Sequence, residues 1–144
     1  MKDKIVFVDY EGTLSEISKG SGVNQKVLMA DLLFDDVFRN LKPRENVKKF
    51  LAQFIPENIF VLGVVSVNRE IKQKECWLKK HYPEIQESNY IFISSKYKKV
   101  EIMNEFVKYK KLKVSDVIFI DDKQSYLDEA IACGYQCINA NDIA

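Results

Sequence analysis

Five short apolar runs, separated by stretches whose apolar residues recur at helical spacing, organise this chain. Ile5-Val6-Phe7-Val8 is mostly β-branched and reads as a buried strand that stops at Asp9. The run Ile59 to Val65 is continuous and too β-branched to prefer helix, so it reads as a second strand, buried on both faces and ending at Ser66. Tyr90 to Ser94 is a shorter third strand. Asp116 to Asp122 is a fourth, apolar inside and acidic at its carboxyl end, and Tyr135 to Asn139 is the last. Between them, Asn24 to about Asn40 carries Val27, Leu28, Leu32, Phe34, Val37 and Phe38 in a helical pattern. Pro43 suits the first turn of a helix over Arg44 to Phe54, with Val47, Phe50, Leu51 and Phe54 on one face. Asn68 is expected to cap a helix reaching about His81. Val100, Met103, Phe106 and Val107 mark another, and Tyr126, Leu127, Ala130 and Ile131 a last one that ends near Gly134. Strands alternating with helices predict one α/β domain over residues 1–144, in three layers, with a parallel sheet of about five strands. The polar stretch after the first strand and the helix that follows predict a small cap or flap at about 15–42.

Parallel strands put their carboxyl ends on one edge of the sheet, where open α/β folds bind ligands. Here those ends are polar: Asp9 with Glu11 just beyond, Ser66, and the pair Asp121 and Asp122, while Lys99 enters from the loop after the third strand. Carboxylates, a hydroxyl and a lysine in one crevice suit a hard cation together with a phosphate group.

Charge and cysteine content narrow the field further. Lys and Arg number 22 against 21 Asp and Glu, a near balance that carries no signal for nucleic acid or for a membrane surface. The lysine runs at 96–99 and 108–113 alternate with apolar residues, as solvated helix faces do. Three cysteines, Cys76, Cys133 and Cys137, offer neither a disulfide framework nor a zinc set, and are expected to be free and mostly buried. His81 reads as structural or exposed, and Trp77 as core. Too few apolar residues follow Met1 to form a signal peptide, and no run approaches membrane-spanning length, so the expected location is cytoplasmic.

The motifs in this order resemble the haloacid dehalogenase (HAD) superfamily, most members of which are Mg²⁺-dependent phosphohydrolases. Asp9-Tyr10-Glu11-Gly12-Thr13-Leu14 is similar to the family's Asp-x-Asp-x-Thr after the first strand. Val64-Val65-Ser66 matches the strand ending in Ser or Thr, Lys99 the lysine ahead of a helix, and Phe119-Ile120-Asp121-Asp122 the acidic pair. A response-regulator receiver domain also gathers aspartates and a lysine, but its phospho-accepting Asp follows the third strand, where this chain has none.

The resemblance implies a three-layer, Rossmann-like domain and a phosphate monoester as substrate. It implies Asp9 as nucleophile, Glu11 as general acid and base, and Lys99 as the counter-charge. Ser66, with Lys99, would bind phosphoryl oxygens. Mg²⁺ would be held by Asp9, the main-chain carbonyl of Glu11 and Asp122, with Asp121 through water. Glu11 departs from the family's second Asp by one methylene, and Tyr126 stands where relatives often carry a small amide. The rival expectation is therefore a HAD-fold binding or regulatory module that turns over weakly or not at all. So short an insertion implies an open site. The substrate is then expected to be a large phosphorylated molecule, or a small one enclosed by a second copy in a homo-oligomer.

Overall fold

A computed structural model describes residues 2–16 and 41–144. The sheet contains β1 (Ile5–Val8), β2 (Ile59–Val64), β3 (Tyr90–Ile93), β4 (Val117–Asp121) and β5 (Gln136–Asn139). The described helices are α1 (Glu45–Leu51), α2 (Asn68–His81), α3 (Lys99–Lys110) and α4 (Gln124–Ala132). All strand pairs are parallel and the order is β3-β2-β1-β4-β5. This is the expected α/β architecture, a five-stranded parallel sheet with helices on both faces.

Strand alternation explains the layers. Val6 and Val8 of β1, Val61 of β2, and Ile118 and Ile120 of β4 face one side, where they pack with Val47 and Leu51 of α1 and Trp77 and Leu78 of α2. Phe7, Leu62, Val117 and Phe119 face the other, against Val100, Met103 and Val107 of α3 and Leu127 and Ala130 of α4. A single-residue slip of any strand would exchange its two faces, so the patterning fixes the register. Short 3₁₀ turns at Pro56–Asn58, Glu87–Asn89 and Val114–Asp116 deliver the chain into β2, β3 and β4. Buried Asn89 donates to the carbonyls of Glu57 and Ile59, each at 3.0 Å, and so ties the start of β3 to that of β2. Gly134 takes φ 93° after α4, the left-handed turn expected there.

Several boundaries differ from the sequence expectation. Pro43 is not in the first turn of α1. It pairs with Ser15 in an isolated antiparallel bridge, and Arg44 holds the N-cap position. Asn68 is the first residue of α2 rather than its cap, because extended Val67 precedes the helix without a side-chain cap. Strand β2 ends at Val64, two residues short of Ser66. Cys76 and Cys133 are exposed and Cys137 is half-buried, against the expectation of buried thiols. On α2 the buried positions are Glu70, Gln73, Lys74, Trp77 and Leu78, which turns Cys76 to the opposite side. The helix expected from Asn24 to Asn40, and most of the cap expected at 15–42, lie outside the described residues. Among the described residues no helix is long and apolar enough to cross a membrane.

Candidate active site

The strand order changes direction between β1 and β4, and the crevice beyond their carboxyl ends is where such sheets bind ligands. Asp9 extends the β1 ladder by one residue, its N–H donating to the Ile120 carbonyl at 2.9 Å. Asp121 closes β4 on the neighbouring strand. Lys99, the first residue of α3, reaches across to both: its Nζ is 2.6 Å from Asp9 Oδ1 and 2.8 Å from Asp121 Oδ2. The other Asp9 oxygen accepts from Thr13 Oγ1 at 3.1 Å, and the same hydroxyl lies 3.5 Å from Asp122 Oδ1. Asp121 Oδ1 accepts the Lys123 N–H at 3.0 Å.

The turn after β1 is tight because three N–H groups, from Thr13, Leu14 and Ser15, converge on the Tyr10 carbonyl. Gly12 makes this possible at φ 82°, a region that side chains disfavour. Arg44 then fastens the turn, donating from Nη1 to the Gly12 carbonyl at 2.7 Å and from Nη2 to the Ala140 carbonyl at 3.2 Å. Buried Tyr82 donates to the Leu14 carbonyl at 3.2 Å. Glu11 bridges to Ser15, Ser15 to Pro43, and the Glu16 N–H donates to the Lys42 carbonyl at 2.8 Å. The two ends of the segment that begins at 17 and returns at 40 are thereby stitched together directly behind Glu11.

Electrostatics at the centre are dominated by burial. Desolvation, followed by the charge of Asp9, pushes the Asp121 carboxyl up to about 7 despite the contact with Lys99. Desolvation and then Asp9 also raise Asp122. Burial alone would lower the Lys99 ammonium, but the charges of Asp9 and Asp121 outweigh it and hold the group above its ordinary value. A raised carboxyl has a calculable sign. Between about pH 4 and about pH 7 folded Asp121 keeps a proton that the unfolded chain has released, so this group makes the metal-free protein less stable as pH rises. Thermal melts in EDTA should show Tm falling across that window, and Asp121→Asn should flatten the slope.

Asp9, Asp121 and Asp122 offer oxygen atoms that all lie within 4.8 Å of one another. An all-oxygen donor set, with two of its carboxyls raised by burial and then by the charge of Asp9, fits a hard divalent cation. A cavity of about 340 Å³ opens over this cluster, lined by Asp9, Glu11, Lys99, Asp121 and Asp122 among others. Five of the six residues singled out from the sequence thus share one cavity. Ser66 does not join them: it is exposed, and its N–H donates to Glu70 Oε2 at 2.8 Å. The sequence reading assigned no role to Thr13, Lys123 or Lys74. Thr13 was legible within the first motif, and Lys74 as a lysine on the face of α2 that also carries Trp77 and Leu78. Tyr126 closes one side, its ring centre 5.0 Å from Lys99 Nζ and 4.5 Å from Lys123 Nζ.

No family model matches the chain, and no curated protein matches it in sequence. Solved structures do match its fold. The Pnkp1/Rnl/Hen1 complex aligns with a TM-score of 0.60 at 17% identity, over 95% of this chain and 46% of that one. The HAD domain of the effector Lem4 from Legionella pneumophila aligns at 0.57 and 16% identity, over 95% of this chain and 84% of that one. A HAD family enzyme from Bacteroides thetaiotaomicron, an aspartate-to-alanine mutant in complex with magnesium and inorganic phosphate, aligns at 0.54 and 12% identity, over 94% of this chain and 93% of that one. The chain therefore spans less than half of the first of these proteins and most of the other two. The chain thus shares its fold with these HAD-domain structures.

Proposed function

We propose that the chain is a Mg²⁺-dependent phosphohydrolase that cleaves a phosphate monoester through an aspartyl-phosphate on Asp9. The observation that carries this reading is the arrangement of Asp9 itself. Its carboxylate is fixed by Lys99 and Thr13 at the mouth of a cavity that also holds two further strand-end carboxylates. The fold neighbour in complex with magnesium and phosphate supports the same reading.

Asp9 would attack phosphorus in line, forming the Asp9–phosphorus bond as the bond to the leaving oxygen breaks. Lys99 offsets the charge that gathers between Asp9 and the phosphoryl group. Glu11, in the same cavity, would donate a proton to the leaving oxygen, then take one from the water that attacks the aspartyl-phosphate. The residues that would hold the ion are Asp9, Asp122 and the main-chain carbonyl of Glu11, with Asp121 through water. Bound there, Mg²⁺ would supply neutralisation of phosphoryl charge. The presence of Glu11 in the cavity that Asp9 lines favours turnover over a purely binding role.

Hydrolysis of p-nitrophenyl phosphate tests the proposal. Activity should appear with millimolar Mg²⁺, disappear with excess EDTA and return on re-addition of the metal. Activity indifferent to EDTA would overturn the metal assignment, and a metal-loaded protein inert across a broad panel of phosphate monoesters would overturn the phosphohydrolase.

A further inference from the structure

We propose that Lys74, rather than Ser66, is the phosphoryl ligand on the β2 side of the site; this deepens the phosphohydrolase reading and rests on it. What lines the cavity at the carboxyl end of β2 is Gly63, Val64 and Lys74 of α2, whereas Ser66 turns to solvent with its N–H committed to Glu70. Lys74 is only 2% exposed, yet it is an ammonium on a cavity wall. Its Nζ pairs with Glu70 Oε1 at 2.9 Å, donates to the Val64 carbonyl at 3.2 Å and lies 5.0 Å from the centre of the Tyr10 ring.

A buried ion pair is a poor way to stabilise this position. Two charges must be taken out of water, and an apolar pair of similar volume commonly does as well or better. Trp77 and Tyr10 already supply apolar packing there. The arrangement suits a different task. Glu70 holds both the Ser66 N–H and the Lys74 ammonium, so one carboxylate fixes the loop after β2 and aims a cation beside it.

The charge of the cavity calls for such a cation. Asp9, Glu11, Asp121 and Asp122 line it against Lys74, Lys99 and Lys123. Lys99 already answers Asp9 and Asp121, and the Lys123 ammonium lies over the Tyr126 ring. A phosphoryl group seated over Asp9 would meet Lys74 from the β2 side and Lys99 from the α3 side. Anion recognition would then come from two lysines, on helices that pack against opposite faces of the sheet.

Calorimetric titration of inorganic phosphate, with Mg²⁺ present, tests this on the wild-type chain and on the double variant Glu70→Gln/Lys74→Gln. The pair is neutralised together so that no lone charge is left buried. Losing a charged hydrogen bond should raise the phosphate dissociation constant about ten- to hundredfold. The KM for p-nitrophenyl phosphate should rise with it. An unchanged constant in a folded double variant overturns the proposal, as does loss of affinity in Ser66→Ala instead. If the double variant does not fold, a crystal structure of the wild type with Mg²⁺ and orthovanadate decides. Lys74 Nζ within about 3.2 Å of a vanadate oxygen supports the assignment, and a nitrogen that contacts none overturns it. The two readings fail differently. A wild type that binds phosphate through Lys74 but hydrolyses no ester sinks the phosphohydrolase alone, an active enzyme indifferent to Lys74 sinks only this assignment, and a wild type that binds no phosphate sinks both.

Discussion

Asp9→Asn should lower kcat/KM for p-nitrophenyl phosphate by at least about 10⁴-fold, the scale on which loss of a covalent nucleophile is felt. The amide keeps the shape of the side chain: its one oxygen can still accept from Lys99 while its nitrogen donates to the Thr13 hydroxyl, so positioning survives while nucleophilicity does not. Asp9 is also the charge that, after burial, raises both Asp121 and Asp122. Its removal relieves them, and Lys99 retains Asp121 as a partner at 2.8 Å. The variant should therefore be folded and melt at or above the wild-type temperature at neutral pH. A variant that keeps a tenth of wild-type activity would refute Asp9 as nucleophile. One that is inactive because it is unfolded would refute the electrostatic account.

Lys99→Met should do the reverse, damaging stability as well as activity. Lys99 is 4% exposed, and its ammonium is paired with two carboxylates that are themselves buried. Methionine fills much of the same volume but leaves Asp9 and Asp121 facing each other without a cation. Removing one partner of a buried pair costs about 3–5 kcal/mol. The loss has a pH signature. Asp121 already sits at about 7 with Lys99 present, so without it this carboxyl rises further and protonates sooner as the solution is acidified. Urea denaturation should find the deficit large near pH 8 and smaller near pH 5. A deficit that does not shrink on acidification would show that Lys99 contributes packing rather than charge.

The sheet was legible because most of its strands are short, mostly β-branched apolar runs, and because a polar residue follows each run within a position or two. Asp9, Asp121 and Asp122 could be brought together on paper from that alone, since parallel strands align their carboxyl ends. Lys99 was preferred to Lys96 and Lys98 through the resemblance, whose spacing to the acidic pair it fits best, and of the three it is the one that is buried. Ser66 failed for a reason spacing cannot reveal. The strand stops two residues early, and Glu70, one helical turn on, claims the loop's N–H. Cys76 failed because average burial by residue type says nothing about which face of α2 it occupies. Lys74 was overlooked because lysines are usually solvated, although its neighbours Gln73, Trp77 and Leu78 mark a buried face. Arg44 looked like the opening of a helix. Its guanidinium instead ties together Gly12, Ala140 and Asn141, contacts across 32, 96 and 97 positions of sequence that no local pattern encodes.

The stitched neck formed by Ser15 with Pro43 and Glu16 with Lys42 has an evolutionary consequence. Whatever length of chain lies between its two sides, closure is achieved at the neck, and doubling a loop costs only about 0.6 kcal/mol in closure entropy. The intervening segment can therefore be exchanged or lengthened like a cassette, without disturbing the strands that hold Asp9 and Asp121. Because Ser15 of the same neck also bridges to Glu11, the neck and the proposed acid–base carboxylate share one piece of backbone. Changes in the length of that segment are thus insulated from the strands of the site by four paired residues, Ser15, Glu16, Lys42 and Pro43.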